Sequence, residues 1–582
     1  MKTKGIYPAY PAHSITDVRD LLVDSAGKYP EKIALQHKKA GRWIPITYRE
    51  LLAEVEATAC GFAFLDMQPQ KSRLAIVGQN RPDWAISYLA AACTGIICVP
   101  IDKDLKEIEV YNILRLSDAD VLVCDEEHMP MVRELRKKLA GLVHVVNMDA
   151  VQPDGGILSF SELKRLGRER ISAGSNDFKE RDVSSQHLLS ILFTSGTMGN
   201  PKGVVLTHEN VTRNLMDAAK WVDLNTRDRF LSVLPIHHSY ECTDGFLLAL
   251  YLGATISYAE NLRRIAENLR ETRTTAMLGV PLLWHAIYKK IEAGMASEGL
   301  WKVNAAKKMA AFMEKIFGWN IRRFLFSKVH EKFGGCLRIL ISGGAAIDPA
   351  VAKGFRELGI EFLQGYGLTE SSPILAVNRN KAFKDAAAGL PLPSIEIKIA
   401  EDGEILARGP SIMKGYYNNP EATDEALRDG WLYTGDLGYM DDEGFLYIQG
   451  RKKSVIVTPA GKNIYPEEVE AEILKSQYIS ECLVWGHESN ISGQEFVIEA
   501  IVVPDMENMP DRRTEKGEAE DRENIEQLLH KEVRERCRSL AAFKRIDKLT
   551  VSYEELEKTT TKKVKRYLYT ERPHSQTPVT FY

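Results

Sequence analysis

Residues Leu188 to His208 read LLSILFTSGTMGNPKGVVLTH. The apolar run LLSIL leads directly into a stretch built from Thr194, Ser195, Gly196, Thr197, Lys202 and further glycines. Small residues let backbone N–H groups approach phosphate oxygens, hydroxyls donate hydrogen bonds, and a lysine adds positive charge. A Walker loop requires GxxxxGK followed by Ser or Thr. Here Lys202 is followed by Gly203, so the P-loop kinase reading is disfavoured. Gly/Ser/Thr loops also serve as plain chain reversals, and the loop alone leaves both readings open.

Comparable apolar runs recur along the chain: RLAIVGQN, ADVLVCDE, LVHVVNM, RFLSVLP, LRILISGG and IEFLQGYG. They alternate with helical stretches such as AISYLAAACTG, DLKEIEVYNILRLS and AVAKGFRELG. That rhythm predicts α/β layers with substantially parallel strands, ligands lying at the strand ends. From about Gly389 the texture changes to short strands and the hairpin signals EDGE and DDEG. The fold expected is therefore α/β: a large N-terminal domain over 1–450, of layered subdomains plus a small β subdomain, and a smaller α+β domain over 451–582. At 582 residues the chain exceeds what one hydrophobic core supports.

Hydrophobic residues at 44% and charged residues at 27% fit a globular protein, and a net charge of −4 argues against a nucleic-acid partner. The eight cysteines are scattered without a CxxC or Cys/His cluster, as in a reduced cytoplasmic protein without structural zinc. The first residues lack the apolar core of a signal peptide, and no run approaches ~20 apolar residues. Contact with the inner face of a membrane, if present, is expected to be peripheral.

FTSGTMGNPKGVVLTH resembles the phosphate-loop signature of the adenylate-forming superfamily: acyl-CoA synthetases, luciferases and peptide-synthetase adenylation domains. The resemblance continues in order through TYREL, QNRPDW, LPIHHSYE, ISGGAAI, QGYGLTESS, GEILARGPSIMKGYYNNPEAT, WLYTGDLGYMDDEGFLYIQGRKKSVIVTPAGKNIYPEEVE and EKTTTKKVKR. It implies attack of a carboxylate on the α-phosphate of ATP, giving an acyl-adenylate and pyrophosphate, followed by displacement of AMP by a thiol. By resemblance, Thr194 and Glu370 bind Mg²⁺ and triphosphate oxygens, and Ser195, Gly196, Thr197 and Lys202 complete the phosphate loop. Gly343, Gly344, Ala345, Gly365, Tyr366, Gly367 and Thr369 line the adenine and acyl channels. Asp436 accepts from the ribose hydroxyls, with Arg451 on the other side. Lys563, the lysine of TTTKKVKR, serves adenylation; Lys562 stands where relatives have glycine, which leaves neighbouring lysines to be told apart. A hinge is implied near 451–454, at Lys453. Gly461 and Gly486 suit the thiol tunnel of coenzyme A, and His238 the acyl or pantetheine region.

Relatives that use acetate carry a tryptophan at the position of Gly367, so glycine there points to a longer acyl chain. The general likeness is to long-chain fatty acyl-CoA synthetases, acting on a fatty acid, ATP and coenzyme A. An acyl-carrier-protein synthetase, a fatty-acyl-AMP ligase, an aromatic carboxylate–CoA ligase and a non-catalytic nucleotide-binding homologue are the alternatives. The helical stretch 301–333 holds eight Lys or Arg against Glu314 and Glu331, with Met309, Phe312, Ile316 and Phe324 among its apolar residues. It reads either as a helix packed on the core with a solvated basic face or as a peripheral membrane contact through 302–332.

Overall fold

The computed structural model describes residues 9–194, 201–458, 462–488, 496–510, 518–558 and 564–570. Contacts divide the chain into two compact units. One comprises residues 1–398, 406–433 and 440–446; the other comprises 399–405, 434–439 and 447–582.

Two large sheets form the first unit. In one, strands Ile33–Lys39, Thr255–Tyr258, Arg229–Ser232, Ala276–Gly279, Ile339–Ser342 and Glu361–Gly367 lie side by side and parallel. Arg42–Thr47 closes one edge, and Ile374–Val377 followed by Leu390–Pro391 the other, all antiparallel. The second sheet has parallel strands Leu188–Thr194, Ile97–Ile101, Arg73–Val77, Val121–Cys124, His144–Asn147 and Ile157–Ser159, in that order. Strands such as VLVC at 121–124 are apolar throughout because helices cover both faces of a parallel sheet. Trp84 and Trp284 anchor the two halves of the interior, each fully buried.

The helices obey ordinary end chemistry. Thr47 caps helix Tyr48–Phe64 by accepting from the Glu50 N–H, and the Glu50 carboxylate accepts in return from the Thr47 N–H at 2.7 Å. Thr207 caps His208–Trp221 in the same reciprocal way through Asn210. The EDGE and DDEG segments are tight turns, closed at Ala400–Glu404 and Asp441–Phe445.

The second unit is α+β. Strands Ile479–Glu488 and Phe496–Pro504 pair antiparallel, and Lys548–Val551 adds in parallel. Helices Pro466–Ile473 and Glu518–Arg536 contribute Val469, Ile473, Leu529 and Val533 to the core against it. Among the described residues no helix is long and apolar enough to cross a membrane.

Candidate active site

The phosphate-loop candidates sit where two strands meet. Leu188–Thr194 pairs antiparallel with Lys202–Thr207, and Thr194 lies opposite Lys202. The Thr194 hydroxyl donates to the Lys202 carbonyl at 3.4 Å. Ser195, Gly196 and Thr197, which join them, lie outside the described residues.

A third strand, Gly415–Tyr416, adds to Lys202–Thr207 and brings Tyr416 to this edge. The Lys202 Nζ stands 5.0 Å from the Tyr416 ring centre, and the Tyr416 hydroxyl donates to Glu370 Oε1 at 2.8 Å. Glu370 occupies the short turn Thr369–Ser371, just beyond strand Glu361–Gly367, and its carbonyl accepts from the Met413 N–H at 2.9 Å. Thr194, Lys202 and Glu370 thus share one neighbourhood, joined through Tyr416. Glu370 Oε2 has no hydrogen bond among the described residues, so a carboxylate and a hydroxyl oxygen are available to a hard divalent cation.

Beside this edge lie the ends of two parallel strands. Gly343 follows Ile339–Ser342, and a Cβ on it would meet the Tyr240 ring at 2.9 Å. Tyr240 in turn donates to the Ile341 carbonyl at 3.2 Å. Gly344 has φ +84°, where a side chain is strained, and with Ala345 it is exposed. Gly365 and Tyr366 end the neighbouring strand half-buried. Thr369 reaches Ser239 at 3.3 Å between hydroxyls. His238 precedes the π-helix Glu241–Leu247, its carbonyl accepting from the Cys242 N–H at 2.8 Å. Its ring centre lies 6.3 Å from that of His237, whose Nε2 is 3.6 Å from Asp102.

Gly367 has a backbone reason of its own. A Cβ there would lie 1.9 Å from the Pro373 carbonyl oxygen. That oxygen also accepts from the Leu368 N–H at 3.0 Å, where the strand pairing shifts register. A side chain at 367 would therefore have to displace the Pro373 carbonyl.

The interior behind Tyr240 holds two carboxyls that sequence reading did not single out. Glu241 is 1% exposed, and burial pushes its pKa up to about 8 against the opposing effect of the Ser232 hydroxyl. Asp244, three residues on, is raised well above the usual carboxylate range by burial and by Glu241. Gly245 makes room for the first of them, since a Cβ there would fall 2.6 Å from the Glu241 carboxyl.

In the second unit, TGD lies within strand Trp431–Met440, with Gly435 at φ +71°. The Gly435 N–H donates to Glu404 Oε1 at 2.9 Å, and the Asp436 N–H to the Thr434 hydroxyl at 3.1 Å. Asp436 is buried, and its Oδ1 meets Arg451 Nε at 2.8 Å. Lys453 lies in the turn Lys452–Ser454. Gly461, Lys562 and Lys563 lie outside the described residues.

Flanking the late lysines, Lys558 and Val564 form a bridge, and Lys558 is ion-paired with Glu481. Arg566 grips Glu470 at 2.7 and 2.5 Å and donates to the Val484 carbonyl at 3.0 Å. Burial nevertheless pushes Glu470 up to about 7, the Arg566 charge working against it. Gly486 packs tightly: a Cβ there would meet Ile456 at 2.5 Å, which accounts for the glycine without a tunnel.

Sequence reading missed Tyr416, although it stands inside a quoted motif, because a Tyr-Tyr pair signals nothing until the strand pairing shows which ring faces Glu370.

The chain is 29% identical over 480 residues to long-chain-fatty-acid–CoA ligase FadD15 of Mycobacterium bovis, covering 78% of each chain. It is 27% identical over 595 residues to the long-chain-fatty-acid–[acyl-carrier-protein] ligase AEE15 of Arabidopsis thaliana, covering 89% of this chain and 80% of that one. The fold is similar to that of the anthranilate CoA ligase AuaEII solved with anthranoyl-AMP, with TM-score 0.75, 21% identity and 98% of each chain covered. Residues 22–417, well over half of the chain, match the family described as AMP-binding enzyme, and the chain belongs to that family.

Proposed function

We propose that the protein activates a long-chain fatty acid with ATP and passes the acyl group to coenzyme A. A carboxylate oxygen of the acid attacks the α-phosphorus, and the bond to the departing pyrophosphate breaks. The thiol sulfur then attacks the acyl carbon, loses its proton, and the bond to AMP breaks. The observation that carries this reading is the cluster of Thr194, Lys202, Tyr416 and Glu370 at one sheet edge.

Lys202 offsets negative charge on the β- and γ-phosphates. The Thr194 hydroxyl and Glu370 Oε2 suit Mg²⁺, which supplies charge neutralisation at the triphosphate. Tyr416 holds the Glu370 carboxylate in place. Asp436 takes the ribose hydroxyls, with Arg451 orienting its carboxylate, and Lys563 stabilises the charge that develops at the reacting carboxylate and α-phosphate. His238 is assigned to the acyl or pantetheine region. The preference for a fatty acid is supported by the names of the curated relatives, with the carrier-protein ligase among them making acyl carrier protein the second acceptor to test.

The test is acid-dependent pyrophosphate release across acyl chain lengths, with coenzyme A or acyl carrier protein as acceptor. Release rising with long-chain acids, and a thioester formed on coenzyme A, are expected. Pyrophosphate release independent of any added acid defeats the proposal. Lys563→Ala is expected to lower adenylation about 100-fold or more while leaving thioester formation from supplied acyl-adenylate largely intact. The same pattern from Lys562→Ala reassigns the role.

A further inference from the structure

Helix Leu300–Phe317 has two apolar faces, and only one of them is used inside the protein. Val303 and Ala306 turn inward against the cluster around Trp284 and Phe355, and Ala310, on the same side of the helix, is fully buried. On the opposite side, Trp301 is 73% exposed, Met309 47%, Phe312 58% and Ile316 57%. At about 100° per residue these four fall within an arc of about 80°. The stripe continues past the helix end: Phe317 and Trp319 pack ring on ring at 5.5 Å and both are exposed, and Phe324 is 81% exposed. Among the described residues, seven of the 21 strongly exposed large apolar side chains lie between positions 301 and 324. Such a concentration of exposed apolar groups marks a docking surface.

The rim of the stripe is basic. Lys308 and Lys315 lie along one side of it and Lys302 along the other, all exposed. Lys307 and Arg322 are satisfied internally by Glu357 and Glu314, at 2.9 and 2.6 Å. Lys308 and Lys315 have no carboxylate partner among the described residues, and Lys302 has the Trp301 ring at 5.7 Å. The chain as a whole carries −4, so the positive rim is a local feature.

We infer that this face docks on an anionic phospholipid bilayer, with Trp301, Met309, Phe312 and Ile316 entering the headgroup boundary and Lys302, Lys308 and Lys315 meeting lipid phosphates. Aromatic rings flanked by lysines along one helix face are what interfacial binding requires. A second copy of the chain is a poorer occupant, because a two-fold pairing of the stripe would set the lysine rims against each other.

The full chain is tested by flotation with vesicles of phosphatidylcholine containing about a quarter phosphatidylglycerol, at ~0.1 M and ~0.5 M salt. Wild type is expected to float with the vesicles at low salt and to be released at high salt. The triple variant M309Q/F312Q/I316Q and the double variant K308E/K315E are each expected to lower partitioning about tenfold or more. Because these side chains are exposed, both variants should keep the wild-type melting profile. Trp emission should shift blue on vesicles in wild type and not in W301F/W319F. Wild type remaining with the unbound fraction overturns the inference, as does M309Q/F312Q/I316Q floating like wild type. A wild-type dimer in sedimentation that the triple variant abolishes, with neither protein floating, overturns it in favour of a second copy. Vesicle binding needs no substrate, so its failure is distinguishable from failure of the proposed acid activation.

Discussion

Replacing Glu241 by Gln should make the protein progressively more stable than wild type as pH rises. The carboxyl is 1% exposed and packed under Gly245, with Asp244, Tyr240, Cys242 and Tyr258 as its ionisable neighbours. None of these is a cation, so ionised Glu241 has no counter-charge among the described residues. Its folded pKa is raised to about 8 from an ordinary value of 4.5. Below the ordinary value both folded and unfolded chains carry the proton, and the neutral form's full contribution is present. As pH rises, the unfolded chain releases the proton first, so stability is lost until the folded group ionises near 8. At about 1.4 kcal/mol per pH unit for one proton, the loss across that window is at most about 5 kcal/mol. Glutamine keeps the shape and has no proton to lose. Urea unfolding of both proteins between about pH 5.5 and 8.5 should therefore show a gap that widens with pH, at up to ~1.4 kcal/mol per unit. A gap that stays constant, or that closes as pH rises, would falsify the assignment of a neutral buried carboxyl.

Arg566→Ala leaves the Glu470 carboxyl buried without its partner and should destabilise the second unit by about 3–5 kcal/mol at pH 8. The loss should shrink at pH 5.5, where Glu470 takes up a proton; melting curves at the two pH values check this. Tyr416→Phe removes the hydroxyl that holds Glu370 and should slow pyrophosphate release roughly tenfold with the melting profile unchanged. Gly367→Ala places a methyl group 1.9 Å from the Pro373 carbonyl oxygen and should cost several kcal/mol, read as an early melting transition. A Gly367→Ala protein as stable as wild type would show that this strand edge yields easily.

Much of the fold was readable because its strands are buried on both faces. RLAIV, VLVC, HVVN, LRILIS and IEFLQGYG are short continuous apolar runs ending in turn residues, and each is a strand of a large sheet. The hairpin signals EDGE and DDEG likewise became turns. The return strand Lys202–Thr207 was not singled out, because KGVVLT is also a plausible helix entry until its partner Leu188–Thr194 is known. The π-helix was hidden for a different reason. ECTDGFL has two acids, a glycine and no helical stripe, and only complete burial makes its polarity meaningful.

Site residues followed a similar division. Lys202 announces itself by type inside a phosphate-like context and Glu370 is reached through the family resemblance, whereas Tyr416 and Arg566 act through partners far away in sequence. Helix Leu300–Phe317 shows the limit of periodicity. Its apolar residues do recur at helical spacing, but spacing cannot say that Val303 and Ala310 face inward while Phe312 and Ile316 face solvent.

Gly367 also bears on how such a chain can change over evolutionary time. Any side chain there meets main-chain atoms, and a carbonyl cannot be trimmed by mutation as a neighbouring methyl group can. Any substitution at 367 would have to move the main chain where strand Glu361–Gly367 pairs with Ile374–Val377, losing stability at that edge. Change at this position therefore calls for coupled substitutions that reshape the strand pairing together with the residue itself.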